Sequence, residues 1–535
     1  MALLTRRRAL IAPGLVLGGY GLVRSVAAKR NSERPIAQRG GTLIVVSPEP
    51  TILVSAFDPT MTNCMIGSKV MEGLVTYDVD LNPRPALAER WDVSADGRTV
   101  RFQLRPGVKW HDGRDFTSAD VAFSLQEVWR KLHPFGRAVY HTVEAVETPD
   151  PLTVVVHMSG PAQYLFGYLN CYGSQILPAH LYQGSDVRSH PNNVAPIGTG
   201  PFMFREWQRG SHVRLARNPH YWRSELPVLD EVIFRFIPDA ASRTAAVQSG
   251  EVDLALGSAI PQISLRRFTK NNRFTINTDD GRFLSSIAMI VCNVRTGPLA
   301  DRRVRQAIMH AIDREALVRL AFRGYGVPAT GPVPSSVKRY YTRDVPAYPF
   351  DLQRTAALLD DAGFKPQANG TRLTLQLVFS QPETRRQADF IRQSLSKAGI
   401  QLTLKQGDTP TFLRQLFTDQ AFDLALTGLH MLPDPTLGVQ RLYWGKNIQK
   451  GVPWSNGSGY ANPELDAIME AAQIEGDDTR RKALIKRWQQ IVQTDLPVLN
   501  LVETQWVTVS SRRLQRPTRQ GDGLFDNLAD AFFAT

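Results

Sequence analysis

The chain has 535 residues, 43% hydrophobic, 21% charged and 9% aromatic, a balance that supplies a large core and excludes a disordered or low-complexity protein. Its formal net charge is +13, but the basic clusters (Arg302, Arg303 and Arg305; Arg385 and Arg386; Arg480, Arg481 and Lys482) are short, mixed with acids and carried on separate amphipathic segments, which argues against a nucleic-acid partner. Cys64, Cys171 and Cys292 have no CxxC spacing and no paired histidines nearby, which argues against a zinc site or a disulfide framework and leaves a Cys64–Cys171 disulfide as an open alternative.

Residues 1–28 read as an export signal. Arg6, Arg7 and Arg8 precede an apolar run from Ala9 to Val23 that is broken by Pro13 and several glycines and is too short for a spanning helix of about 20 residues. Thr5 to Leu10 resemble a twin-arginine signal, and Ser25 to Ala28 offer cleavage positions. Loss of these residues removes four arginines, so the mature charge is expected to fall from +13 to +9. No cysteine follows the cleavage positions, so a free periplasmic protein is expected rather than a lipid-anchored one.

Strand and helix patterns then alternate irregularly, which predicts mixed α/β lobes. TLIVVS at 42–47 is the first strand, and TVRFQLR at 99–105 alternates cleanly. Thr117 and Asp120 form a capping-box pattern before a helix bearing Val121, Leu125, Val128 and Trp129. At 196–222, Pro196, Gly198, Gly200 and Pro201 force a sharp turn before an alternating strand with Phe202, Phe204 and Trp207. A hairpin tip at Gly210, a return strand with Val213 and Leu215, and the aromatic pair Tyr221 and Trp222 complete that segment. Asp239 and Asp301 are placed to cap helices, and Gly363 to end one.

FLSSIAMIVCN at 283–293 reads as a buried strand at a crossing between lobes. Beyond it the pattern predicts helix 351–363, strand 372–379, helix 384–398, strand 400–405, helix 410–419 and strand 422–427, a second α/β lobe. Helices at 463–475 and 478–494 lead into PVLNLVE, where the chain is expected to return to the first lobe.

PIGTGPFMFREWQRGSHVRLARNPHYW at 196–222, PALAERWDVSADGRTVRFQLRPGVKWHDG with FTSADVAFS at 85–124, PDAASRTAAVQSGEVD at 238–253 and PLADRRVRQAIMHAIDRE at 298–315 stand in the same order as in a known family. With DLQRTAALLDDAGF at 351–364 and the Asp434-Pro435 region, the chain from Gly41 onward resembles the extracytoplasmic solute-binding proteins of family 5, the peptide/nickel class that serve ABC importers. The resemblance implies an α/β, two-lobe periplasmic binding protein type 2 fold with an inserted subdomain. It implies a first lobe of 40–73, 198–290 and 499–535, an insert of 74–197 and a second lobe of 291–498. It also implies a monomer that captures a small molecule or peptide and delivers it to a membrane permease and ATPase pair.

Residue patterns point the same way. HExxH, GxSxG and GxxxxGK[ST] are absent from the sequence, and Gly198-Thr199-Gly200 is a turn rather than a phosphate loop. Trp110 to Gly113 read as a hydrogen-bonded turn, because neighbouring residues on a strand face opposite ways. No enzyme, cofactor or metal is therefore expected. Binding needs a cleft with a few polar groups and aromatic walls. Ser47 and Glu49 follow the first strand, Asn293 ends the crossing strand, His430 and Met431 follow FDLALT, and Trp444, Trp454 and Tyr460 sit in a Gly-rich loop. The alternative for those rings is that they seal the lobe's own edge.

In dipeptide- and oligopeptide-binding members an aspartate stands three residues before the acid-proline pair and neutralises the peptide's ammonium; here that position is Met431. A free-amine peptide would then need another acid, such as Glu49 or Asp58, and opine, sugar-derived, modified-peptide and metal-chelate ligands stay open. The rival from another class is a secreted hydrolase using Asp112 or Asp434; a further rival is a sensory or chaperone-like protein of the same fold.

Overall fold

The computed structural model describes residues 37–380, 384–518 and 521–534. The export signal expected at 1–28 lies outside them. Among the described residues no helix is long and apolar enough to cross a membrane.

Two mixed sheets organise the chain. The first has seven strands in the order Phe274–Asn277, Thr508–Ser511, Leu254–Ala255, Thr42–Ser47, Glu231–Phe236, His212–Arg217 and Phe202–Gln208. Thr42–Ser47 runs parallel to both neighbours, so it is buried on both faces, and Leu43 and Val45 are fully covered. The second sheet has six strands in the order Gly326–Pro328, Val498–Thr504, Ser285–Cys292, Leu424–Met431, Leu373–Phe379 and Ile400–Gln406. A separate antiparallel sheet of Ala88–Val93, Thr99–Leu104, Thr153–Met158 and Val143–Asp150 forms the insert.

The predicted elements of the second lobe recur as Leu352–Asp361, Arg385–Ser396, Thr409–Leu413, Pro463–Ile474 and Asp478–Asp495 among the helices. Asp239 accepts from Ser242 N and Asp301 from Arg303 N, so both cap as the sequence suggests. Gly363 follows the helix Leu352–Asp361 at φ 89°. The capping-box helix Ser118–Phe123 continues as a π-helical turn over Ser124–Trp129, and Asp120 accepts from Thr117 N at 2.9 Å.

Residues 196–222 pack as the sequence implies. His212–Arg217 pairs antiparallel with Phe202–Gln208 and Gly210 turns at φ 71°. A Cβ on Gly198 would stand 1.8 Å from the Val70 carbonyl oxygen, so only glycine lets the turn lie on the segment behind it. The buried Glu72 carboxylate ties the segment down, accepting from Thr199 Oγ1 at 3.0 Å, Tyr221 OH at 2.8 Å and Trp222 Nε1 at 3.1 Å. His111 closes the turn from the other side: its Nδ1 accepts from Gly198 N and its Nε2 is 2.9 Å from Gly200 O. Cys64, Cys171 and Cys292 are all free thiols.

The chain passes between the two mixed sheets twice, between Asn277 and Ser285 and between Thr504 and Thr508. Ser285–Cys292 and Val498–Thr504 both lie wholly in the six-stranded sheet, side by side, so limits at 290 and 499 cut through strands while the passages themselves fall at 278–284 and 505–507. Segments this short act as hinges or straps, since few residues must change φ and ψ for one lobe to move against the other.

Candidate ligand-binding cleft

A cleft of about 1020 Å³ opens where the two passages meet the second sheet. The first lobe supplies Ser258 and Ile260 to Ile263, which follow the strand Leu254–Ala255, and the return passage supplies Gln505 and Trp506. The second lobe supplies Thr427, Gly428 and His430 from the strand Leu424–Met431, Arg385 and Arg386 from the start of a helix, and Trp454.

Trp506 is the pivot of this wall. Its ring stacks on His430 at 5.6 Å and 26°, and its Nε1 donates to Leu284 O at 3.3 Å. Gly281 on the outgoing passage must be glycine, because a Cβ there would fall 2.0 Å from the indole. One tryptophan therefore touches both passages and a residue of the second sheet. The His430 ring is open to water on the cleft side yet crowded by protein elsewhere, and this loss of solvation, helped by the Arg441 charge, lowers its pKa to about 4. It is a neutral ring at physiological pH.

Trp454 reaches the same cleft from the glycine-rich loop. It is 38% exposed, its ring meets Phe417 edge-on at 6.1 Å, and its backbone sits at φ 63°, a left-handed value costly for a bulky residue. An exposed ring held in a strained conformation is the pattern of a ligand wall rather than of a core filler.

The other six expected residues do not line the cleft. Ser47 is buried and donates to Pro48 O at 2.9 Å. Glu49 accepts from Trp207 Nε1 and Gly210 N, both at 3.1 Å, and so pins the hairpin tip. Asn293 donates to the carbonyls of Gln420 and Phe422. Met431 is wholly buried, because alternation along its strand turns it to the core while His430 turns to the cleft. Trp444 Nε1 donates to Glu470 at 3.0 Å, and Tyr460 OH donates to Asp495 at 2.5 Å. Asn456 Nδ2 bridges the carbonyls of Trp444 and Tyr460, so most of the aromatic loop folds onto itself. Edge-sealing explains those two rings.

The rival acids are also accounted for. Asp434 is buried and bidentate with Arg481, at 2.8 and 2.9 Å, and takes Thr436 N and Oγ1 at 3.0 and 2.7 Å. Burial would raise its pKa, but the Arg481 guanidinium outweighs that and holds the carboxyl below the ordinary range. Its task is to fasten the loop after His430 to the helix Asp478–Asp495. Asp112 accepts from or pairs with His180 at 2.7 Å on the insert, and neither residue is part of the cleft lining. Sequence reasoning missed Trp506, Ser258 and the Arg385–Arg386 pair; the signal for Trp506 was an isolated tryptophan between two short strands.

Two lobes joined by two short passages, with an aromatic and polar cleft at the joint, define a solute-binding protein that holds its ligand between the lobes. Residues 82–451 match the model for bacterial extracellular solute-binding proteins, family 5 (middle), and the chain belongs to that family. Its members are periplasmic binding proteins for peptides and other small ligands that feed ABC permeases. The chain is 27% identical over 486 residues to the glutathione-binding protein GsiB of Pectobacterium atrosepticum, covering 86% of this chain and 88% of that one. Among solved structures it is similar to HbpA2 from Haemophilus parasuis (TM-score 0.79, 25% identity, 92% and 100% of the two chains). It is also similar to the binding protein AgaA from A. tumefacien R10 in complex with agropinic acid (TM-score 0.72, 25% identity, 92% and 99%).

Proposed function

We propose that this chain is the receptor of an ABC importer for a small peptide-like solute, glutathione being the first candidate, and that it closes its lobes on that solute to deliver it to the permease. The observation that carries this reading is the cleft at the two passages, where Ser258 and Gln262 of the first lobe, Trp506 of the joint and His430 and Trp454 of the second lobe line one surface. The glutathione-binding relatives support the choice of solute. In this reading residues 1–28 are removed on export and the protein works in the periplasm as a monomer. It performs no catalysis and binds no nucleic acid. The first lobe is 40–73 with 198–277 and 508–535, the insert 74–197 and the second lobe 285–504, the limits expected at 290 and 499 being moved to the two passages.

The test is titration calorimetry with glutathione and with di- and tripeptides, paired with small-angle scattering. Binding at roughly micromolar affinity with a smaller radius of gyration is expected. Peptides that neither bind nor compact the protein would move the assignment to the second reading, a receptor for an opine or sugar acid. Buried Met431, standing where the peptide-binding pattern has an aspartate, favours that alternative.

A further inference from the structure

One positive charge between the lobes has no anionic partner among the described residues. Arg441 lies in the turn Gln440–Leu442, beyond the loop that Asp434 fastens, and its guanidinium carbon stands 5.7 Å from the ring centre of Phe135 in the insert. Tyr168 and Tyr172 of the first lobe's insert interact with its charge, as does His430 of its own lobe. Its Nε is buried without an acceptor, and among the described residues no carboxylate pairs with it. The Tyr172 hydroxyl likewise makes no hydrogen bond with any described residue, although its ring is buried against Phe283 and Phe525.

Other arginines withdrawn wholly or partly from solvent are treated differently. Arg481 has Asp434, and Arg305 donates to the carbonyls of Asp495 at 2.8 Å, Leu299 at 2.6 Å and Ala300 at 3.0 Å. Arg314 donates to the carbonyls of Ala329 and Tyr348. A structural arginine is saturated here; Arg441 is not. Arg441 is half-buried, and a guanidinium that loses part of its water without gaining an anion, and that cannot shed its proton, raises the free energy of whatever arrangement covers it. That arrangement is lobe closure, because Phe135, Tyr168 and Tyr172 come from one side and Arg441 and His430 from the other.

We infer that Arg441 is the anchor for a carboxylate of the solute, with Tyr172 as a second donor to it, so that acidic solutes drive lobe closure and neutral ones do not. The inference rests on the solute-receptor reading above and adds the charge of the solute to it. A ligand shifts an equilibrium only by its differential affinity for the two states, and a carboxylate on Arg441 supplies that difference in the closed state alone.

The test uses the mature chain, stripped of bound solute by partial unfolding and refolding. Glutathione is compared with its diethyl ester, and trialanine with trialanine amide, by calorimetry on the native protein, Arg441→Met and Arg441→Lys. The free acids are expected to bind roughly thirtyfold or more tightly than their masked forms. Arg441→Met should abolish that preference and Arg441→Lys should keep part of it. Equal affinity of acid and masked forms for the native protein, or an unchanged preference in Arg441→Met, would overturn the anchor. If none of the four probes binds, the peptide reading itself fails, and the anchor is then judged on the stripped proteins alone. Arg441→Met melting at or above the native temperature upholds an unpaired charge awaiting an anion, and a lower melting temperature shows a structural arginine and overturns it.

Discussion

Replacing Asp434 with asparagine should destabilise the protein by about 3–5 kcal/mol, because it leaves the Arg481 guanidinium, 0% exposed, as an uncompensated charge inside the second lobe. The side chain of Asp434 is 6% exposed and accepts two hydrogen bonds from Arg481 and two from Thr436, so no water stands ready to replace them. Arg481→Met should cost less at low pH than at neutral pH, since the Asp434 carboxyl, no longer held below its ordinary range, escapes its burial by taking a proton. The double change Asp434→Leu with Arg481→Met removes both charges and should come within about 2 kcal/mol of the native protein, as buried pairs replaced by apolar groups commonly do. Urea unfolding at neutral pH of the native protein, Asp434→Leu, Arg481→Met and the double change measures all four corners, and a coupling of about 3 kcal/mol is expected. Acid titration gives an independent check: the folded-state pKa of Asp434 is depressed, so its contribution is complete above the unfolded carboxylate value and is lost as pH falls through the folded one. Native stability should therefore fall toward low pH more than that of Asp434→Asn. Additive losses in the cycle, or an Asp434→Asn cost under about 1 kcal/mol, would refute the account and return Asp434 to the list of free functional acids.

Trp454→Gly should change stability by less than about 1 kcal/mol, because relief of the left-handed backbone offsets the lost contact with Phe417, while solute affinity falls tenfold or more; a large drop in melting temperature with intact affinity would sink the cleft-wall role. His133, 3% exposed, has its pKa lowered to about 4 by burial, so its neutral form stabilises the fold above the unfolded value of about 6.5 and that contribution is lost as pH falls toward 4. Unfolding curves at pH 7 and pH 4 should therefore converge for native protein and His133→Gln by on the order of 3 kcal/mol, and parallel pH profiles would contradict it. Gly198→Ala should cost roughly 3 kcal/mol, read as a lowered melting temperature, since its Cβ would meet the Val70 carbonyl at 1.8 Å; a native melting temperature would mean the turn relaxes freely.

Much of the fold was legible because its signals are local. The hairpin around Gly210, the caps at Asp239 and Asp301 and the alternation of Leu373–Phe379 depend on residues within a few positions of one another. The cleft was less legible. His430 was found because alternation along one strand predicts which face it takes, but the same alternation sends its neighbour Met431 into the core. The rings of Trp444 and Tyr460 carry the same composition signal as Trp454, and only their partners Glu470 and Asp495, 26 and 35 residues away, show that they close the lobe on itself.

The sequence by itself determined the family, the mixed α/β lobes and the turn at 196–222, because close-packed glycines, capping acids and apolar periods act over short range. Tertiary structure alone decided which polar groups are spent and which remain. Glu49, Asn293 and Asp434 are consumed by partners 47 to 161 residues distant in sequence, whereas Arg441 has no anionic partner among the described residues. Charge and residue type are written locally, but whether a charge is satisfied depends on what the folded chain brings beside it, and that is where the choice of solute lies.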